Sequence, residues 1–301
     1  MELNQLRYVL AIAETGNFTR AANAQSVAQP SLSQQVGKLE AELGHKLFHR
    51  LGRRAVPTEA GEMFIQRARR ILFEVANVSS EIRDNPKLNR SISVGAIPTV
   101  APYILPGLIK RCQEQLPNLT INTSEAFRSD LEEDVLNGRL DMAIVAQPFN
   151  EPQLDAESIF NESLVLAVSR RHPLASKRRF TMKDLAEQTF IMLGESSTLT
   201  QQIQRFCGAN NFQPRIGHTC AQVTMLKELV GLGLGIAILP QLAQSPEDRH
   251  QLVYRQLTGQ TPTREIAVVR HLQRYQTTGA NQFLKLLRET FAKLARPLAE
   301  A

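Results

Sequence analysis

The sequence predicts a chain in two parts, an α-helical N-terminal segment carrying one short hairpin and a larger α/β segment behind it. Three observations predict this. Apolar residues recur at helical spacing through residues 3–43, a second apolar repeat runs without proline as far as Pro86, and β-rich runs alternate with helical stretches from Ser91 onward. The 301 residues allow two or three domains at roughly 100–200 residues each. With 43% hydrophobic and 21% charged residues, disordered and collagen-like readings are excluded. The net charge of +6 is compatible with a polyanionic partner and is weak evidence alone.

Leu3, Leu6, Leu10 and Ala13 predict a first helix over residues 2–15, which Gly16 and Asn17 end. Thr19 is the expected cap of a second helix, in which Ala21 and Ala22 allow close packing. A third helix starts near Gln29. Pro30 suits its first turn, and Ser31 with Gln34 has capping-box spacing. Leu32, Val36, Leu39 and Leu43 form its apolar stripe, so Pro30, Ser33, Gln34, Gly37 and Lys38 face away. That outer face offers hydrogen-bonding groups and a cation without a carboxylate. Two helices joined by a tight turn, the second presenting Ser, Gln and Lys near its start, have the geometry of a DNA-reading helix-turn-helix. Gln29, Pro30, Ser31, Ser33, Gln34 and Lys38 are its candidate contacts, Gln being able to pair with adenine in the major groove.

Residues 47–57 read as two short extended runs about Gly52, with Arg50, Arg53 and Arg54 placed to meet phosphates or the minor groove. A solvated charged turn is the alternative. Beyond Thr58, Phe64, Ala68, Ile71, Val75, Val78 and Ile82 follow 4-3-4-3-4 spacing, a heptad seam that predicts pairing of this helix with its copy. Packing of the helix on its own domain is the other reading.

These residues resemble the LysR-type transcriptional regulators. The carriers are Leu6-Arg7-Tyr8, residues 16–22 (Gly-Asn-Phe-Thr-Arg-Ala-Ala), residues 28–33 (Ala-Gln-Pro-Ser-Leu-Ser), residues 39–44 (Leu-Glu-Ala-Glu-Leu-Gly), Leu47-Phe48-His49-Arg50 and Pro57-Thr58-Glu59-Ala60-Gly61. The resemblance implies a winged helix-turn-helix over residues 1–58, a dimerising linker helix and hinge over 59–90, and an effector domain over 91–301. That domain would have two Rossmann-like lobes similar to periplasmic binding proteins, lobe I being 91–162 with 266–301 and lobe II 163–265. It further implies double-stranded DNA with inverted-repeat promoter sites, a small-molecule effector, homodimers assembling into homotetramers that bend DNA, and RNA polymerase as a further partner.

The second part bears its own pattern. Strands are expected at Ser91–Gly95, Leu119–Thr123 and Met142–Val145, with helices at 101–115 and 129–137. A second set follows at 164–168, 190–193, helix 198–209, 215–219, helix 224–231 and 236–239. Ile266–Val269 and a helix at 278–294 then return to the first lobe, leaving a cleft with a flexible waist near two chain crossings. Pro86 to Asn89 is the expected hinge. Mapped through the resemblance, the effector pocket would use Pro98, Thr99, Arg128, Ser129, Ala146, Ser196, Ser197, Thr198, Val223 and Thr224. Hydroxyls at predicted helix starts suit an anion, and plain N-capping explains each equally well.

Gly231-Leu232-Gly233-Leu234-Gly235 precedes a strand and lacks a P-loop lysine, so tight packing is expected there. Cys112, Cys207 and Cys220 lack metal or disulfide spacing and read as buried thiols. Residues 195–207 are similar to the peroxide-sensing OxyR branch, yet Thr198 stands where that branch has its reactive first cysteine, so peroxide sensing by a thiol pair is not expected. No catalytic motif, cofactor loop or metal cluster is evident, and an enzyme is not expected. Without a signal peptide or membrane span the chain is expected in the cytoplasm. The rival reading is a cytoplasmic small-molecule binding protein without specific DNA readout.

Overall fold

A computed structural model of the chain describes residues 1–84, 90–147, 151–177, 180–257 and 261–294. It divides into two compact units, Met1–Arg83 and Asp84–Ala301.

The first unit comprises α1 (Leu3–Thr15), α2 (Phe18–Ala24), α3 (Gln29–Leu43), an antiparallel hairpin of β1 (Phe48–Leu51) and β2 (Arg54–Pro57), and α4 (Glu59–Arg83). The expected Thr19 cap is replaced by Asn17, whose side-chain oxygen accepts from the Thr19 and Arg20 amides at 2.8 and 3.0 Å. Standing just before the helix, Asn17 can reach both second- and third-position amides. Ser31 does not cap α3 either. The helix already starts at Gln29, with Ala28 preceding it and Pro30 in its first turn, which leaves Ser31 inside. Leu32, Val36 and Leu39 are fully buried, whereas Leu43 is exposed because Gly44 ends the helix in a left-handed conformation at φ 71°.

The second unit contains β3 (Arg90–Ala96), α5 (Ala101–Gln115), β4 (Leu119–Glu125), α6 (Arg128–Leu136), β5 (Met142–Ala146), β6 (Leu154–Ser169), α7 (Pro173–Ser176) and α8 (Met182–Ala186). It continues through β7 (Thr189–Leu193), α9 (Thr198–Ala209), β8 (Arg215–Cys220), α10 (Val223–Gly231), β9 (Ala237–Pro240), β10 (Leu252–Gln256), β11 (Thr263–His271) and α11 (Thr278–Leu294). Two 3₁₀ turns, Gln241–Ala243 and Pro246–His250, lie between β9 and β10. The main sheet runs β10-β6-β11-β5-β3-β4, with β9 also on β6, while β7 and β8 pair separately. β3 is parallel to β4 and β5, as β-α-β-α-β chain order requires, and β11 is antiparallel to β5 and β6.

The strand expected at 164–168 is the second half of the 16-residue β6. Its first half pairs with β11, and its second half with β9 and β10. One unbroken strand thus serves two hydrophobic cores. The first gathers Val94, Ile144, Val268, Phe283 and Leu287, the second Leu166, Phe190, Leu193, Leu226 and Ile238. The expected hinge at Pro86 to Asn89 lies outside the described residues.

The glycine run packs tightly. A side chain at Gly235 would lie 2.6 Å from the Thr189 carbonyl oxygen, and Gly233 adopts φ 80°. No helix among the described residues is long and apolar enough to cross a membrane.

Candidate functional site

In the first unit Pro30, Ser31, Gln34 and Lys38 are exposed on α3, with Gln29 and Ser33 half-buried beside them. The opposite face is locked into the core. Glu40 is buried despite its charge: one carboxylate oxygen accepts the Leu47 amide at 2.9 Å and the other accepts Lys46 Nζ at 2.8 Å. This joins the end of α3 to the hairpin.

The hairpin is held at its tip as well. Asn17 Nδ2 donates to the Arg53 carbonyl at 2.6 Å, and the Ala55 amide donates to the Gly16 carbonyl at 2.9 Å. Arg53 and Arg54 remain exposed on that anchored turn. Arg50 is engaged differently: Nη1 donates to Ser33 Oγ at 3.1 Å, and its guanidinium lies 4.3 Å from the centre of the Phe18 ring. The side chain therefore couples hairpin to helix in addition to adding charge. Asn17, Glu40 and the Arg50–Ser33 pairing carried no periodic signal in the sequence, because each acts across a turn.

The seam of α4 divides. Ala68 is buried and Phe64 half-buried against the unit's own core, whereas Ile71, Val78 and Ile82 are exposed, the last two by 53% and 80%, and Val75 is half-buried. The reading of a helix packed on its own domain thus holds for the first half.

In the second unit a cleft is lined by Ile97, Pro98, Thr99, Phe127, Arg128, Leu193, Ser196, Ser197, Thr198 and Ala221. Six of the ten sequence-predicted positions meet here: Pro98, Thr99, Arg128, Ser196, Ser197 and Thr198. The others do not line it. Ala146 is enclosed in the first core on β5, Val223 is packed into the second, Ser129 is exposed with its hydroxyl 3.3 Å from Asp130, and Thr224 is exposed on α10. Ile97, Phe127, Leu193 and Ala221 were missed; nothing in their apolar chemistry distinguishes them from core.

The lining residues stand at, or just before, the starts of α5, α6, α9 and α10, and in none of these helices does an N-cap side chain take up a first-turn amide. Capping therefore does not account for Ser197 and Thr198. Four positive helix ends converge on buried hydroxyls, an arrangement suited to negative charge. Arg128 adds a cation, 3.5 Å from Glu132. Burial pushes the Glu132 carboxyl above its ordinary range, opposed by Arg128 and reinforced by Glu151. The cleft is narrow: its cavity volume of about 10 Å³ is room for one water. A larger ligand does not fit the cleft in this conformation.

Residues 86–292 match the family described as LysR substrate binding domain, and residues 3–62 match the bacterial regulatory helix-turn-helix protein, lysR family. The chain belongs to the LysR family of DNA-binding transcriptional regulators. It is 34% identical over 272 residues to the hydrogen peroxide-inducible genes activator of Haemophilus influenzae, covering 89% of this chain and 90% of that protein. It is 31% identical over 265 residues to the Hca operon transcriptional activator HcaR of Escherichia coli, covering 87% and 89%. Among solved structures, a full-length OxyR variant from Pseudomonas aeruginosa superposes with a TM-score of 0.73 at 26% identity, covering 97% of this chain and 94% of that one. Full-length CbnR in complex with its target DNA gives 0.65 at 25% identity, covering 96% and 100%.

Among LysR regulators, a likeness to peroxide-inducible activators directs attention to the thiols. Cys112, Cys207 and Cys220 are all buried, and burial pushes the Cys207 thiol up to about 12. At pH 8 such a thiol is about 10⁻⁴ thiolate, against roughly a quarter for a free thiol near 8.5. Iodoacetamide should therefore label Cys207 at least about 100-fold more slowly in the native protein than in urea. Equal rates, followed by peptide mass spectrometry, would sink this assignment. Because the folded pKa is raised, the associated stability is present below about pH 8.5 and is lost as pH rises toward the folded value of about 12.

Proposed function

We propose that two copies of this regulator pair through the exposed half of α4 and set two α3 helices on an inverted repeat. A small anionic effector in the cleft would shift the spacing of the DNA modules. In this reading the DNA-binding module is 1–58, the linker 59–90 and the effector domain 91–301, with lobe II at 163–265. Two dimers join through effector domains into a tetramer, acting in the cytoplasm on a promoter with RNA polymerase. The protein performs no catalysis of its own. A ligand can only bias an equilibrium between two arrangements by its differential affinity for them, so cleft closure is the step that couples the sites.

The observation that carries the effector reading is the convergence of four uncapped helix starts on the hydroxyls of Thr99, Ser197 and Thr198. The DNA reading is supported by the exposed carboxylate-free face from Gln29 to Lys38 and by Arg53 and Arg54 on the anchored hairpin. Peroxide response is not carried over from the relatives, since Thr198 offers a hydroxyl where thiol chemistry would be needed.

Selection of genomic fragments by the purified protein at near-physiological salt tests the proposal, the expected product being an inverted repeat upstream of a few operons. On that site Gln34→Ala should lower discrimination at one base position by about 1–3 kcal/mol. Arg53→Ala should instead weaken all sequences alike and reduce the slope of log affinity against log salt by about one. Unchanged base preference in Gln34→Ala would move the reading face elsewhere.

A further inference from the structure

The roomier cavity of the second unit is not the cleft. About 620 Å³ opens between the end of β6, the end of α10 and the second 3₁₀ turn, against about 10 Å³ in the cleft, and the two share no lining residue. That size lies within the roughly 300–1,000 Å³ of small-molecule pockets. Its three walls are tied to one another. Ser169 Oγ donates to the Gly231 carbonyl at 3.0 Å, the Arg170 amide donates to the Gln251 carbonyl at 3.0 Å, and the Arg170 guanidinium donates to the Arg249 carbonyl. Gln251 closes on Gly231, where a Cβ would stand 2.6 Å from its Oε1. A rim fixed before any ligand arrives needs little ordering on binding.

Charge lines this cavity without being paired. Among the described residues the side chains of Arg171, His250 and Glu228 make no hydrogen bond or ion pair, and all three are exposed. Arg170 uses one N–H on the Arg249 carbonyl, which leaves the rest of its donors free. His172 adds no charge: its Nδ1 accepts the Leu174 amide at 3.2 Å, and burial holds the imidazole below its ordinary range. Helix α10 ends here, and a bare negative helix end would oppose an anion. It is not bare. The Glu228, Leu229 and Val230 carbonyls accept the Leu232, Leu234 and Gly233 amides at 3.0, 3.2 and 2.9 Å, and Ser169 takes up the Gly231 carbonyl.

We propose that this cavity is a second ligand site, for a phosphate ester of a hydroxyl-bearing body such as a nucleoside or a sugar. A guanidinium fork matches phosphate oxygens in pairs, which suits Arg170 and Arg171 to the phosphate. An ionised carboxylate only accepts hydrogen bonds, so Glu228 receives hydroxyl or amino donors of the body and repels a bare polyanion. For the same reason a DNA backbone, with its closely spaced phosphates, fits poorly. An ion as small as inorganic phosphate leaves most of the volume to water. The site stands whatever the cleft binds.

The experiment is calorimetric titration of the full-length protein with adenosine monophosphate, a hexose phosphate and inorganic phosphate at equal ionic strength. At least one ester should bind saturably, about tenfold or more tighter than inorganic phosphate. Arg171→Ala, an exposed substitution outside both cores, should weaken that ester about tenfold. Arg171→Lys should recover only part of the loss, because an ammonium lacks the fork. Glu228→Gln should narrow the preference for the ester over inorganic phosphate. Esters that bind no better than inorganic phosphate overturn the proposal, as does an ester affinity unchanged in Arg171→Ala; if that affinity is instead lost in Thr198→Val, the ligand sits in the cleft. Should no ester bind while Arg171→Ala lowers the slope of log DNA affinity against log salt by about one, a DNA phosphate is the occupant and the proposal falls.

Discussion

Gly61→Ala is expected to destabilise the DNA-binding unit by about 3 kcal/mol, the upper part of the range for overpacking a well-filled site, and to remove specific DNA binding with it. A Cβ at this position would sit 2.0 Å from the Leu47 carbonyl oxygen and 2.9 Å from its carbon. Those are backbone atoms with nowhere to go. The same carbonyl accepts the Thr58 amide at 2.9 Å, and the Leu47 amide is held by the buried Glu40 carboxylate. Thr58 Oγ1 in turn donates to the Lys46 carbonyl at 2.6 Å and accepts the Gly61 amide at 3.0 Å. The first turn of α4 is thereby laid directly on the chain entering the hairpin, at a distance only glycine permits. Gly37→Ala supplies the contrast. Nothing lies within 4 Å of its Cβ position, so the helix interior should gain roughly 0.5–1 kcal/mol. Urea unfolding of the two variants would separate them; a native midpoint for Gly61→Ala would refute the close-approach argument.

That glycine illustrates which parts of this molecule were legible in the sequence. Amphipathic spacing set α1 and α3 close to their observed bounds, because a single buried stripe repeats within each element, and α5, α9 and α11 fall on the helical stretches expected in the β-α alternation. Starts were harder wherever two capping residues competed. Thr19 and Ser31 both look like caps, yet Asn17 stands one position ahead of α2, and Gln29 had already entered the α3 helix. β6 escaped for a different reason. Its first half, Leu154-Asp155-Ala156-Glu157, alternates charge with small side chains, and only pairing to β11 more than 100 residues later makes it a strand.

The cleft shows the same division. Pro98, Thr99, Arg128 and Ser196 to Thr198 were placed through the family resemblance, and they stand where strand ends are followed by helix starts, the binding edge of an α/β lobe. The buried ion pair of Arg264 with Glu162 was not legible, since charged residues are mostly exposed and nothing local announces a partner 102 positions away. Ala146 and Val223 have the opposite history, correct strand and helix assignments whose side chains point into core.

The α4 seam yields a prediction in which two substitutions of one pattern separate. Val78→Asp should convert the dimer into a folded monomer, whereas Ala68→Asp should unfold the DNA-binding unit, although the two positions share the 4-3 repeat. Val78 is 53% exposed, so an aspartate there meets water in the isolated chain and harms only a facing copy. Ala68 is 1% exposed and packs inside its own unit, where an unpaired carboxylate costs several kcal/mol. In the monomer each DNA module must bind alone. Tethering two modules raises affinity by about 10²–10⁴-fold through effective concentration, and Val78→Asp should forfeit that gain on a full inverted repeat while leaving half-site affinity intact. Sedimentation gives the assembly state and circular dichroism the fold. A dimeric Val78→Asp protein with unchanged full-site affinity would mean that the exposed stripe of α4 is not the surface that brings the two copies together.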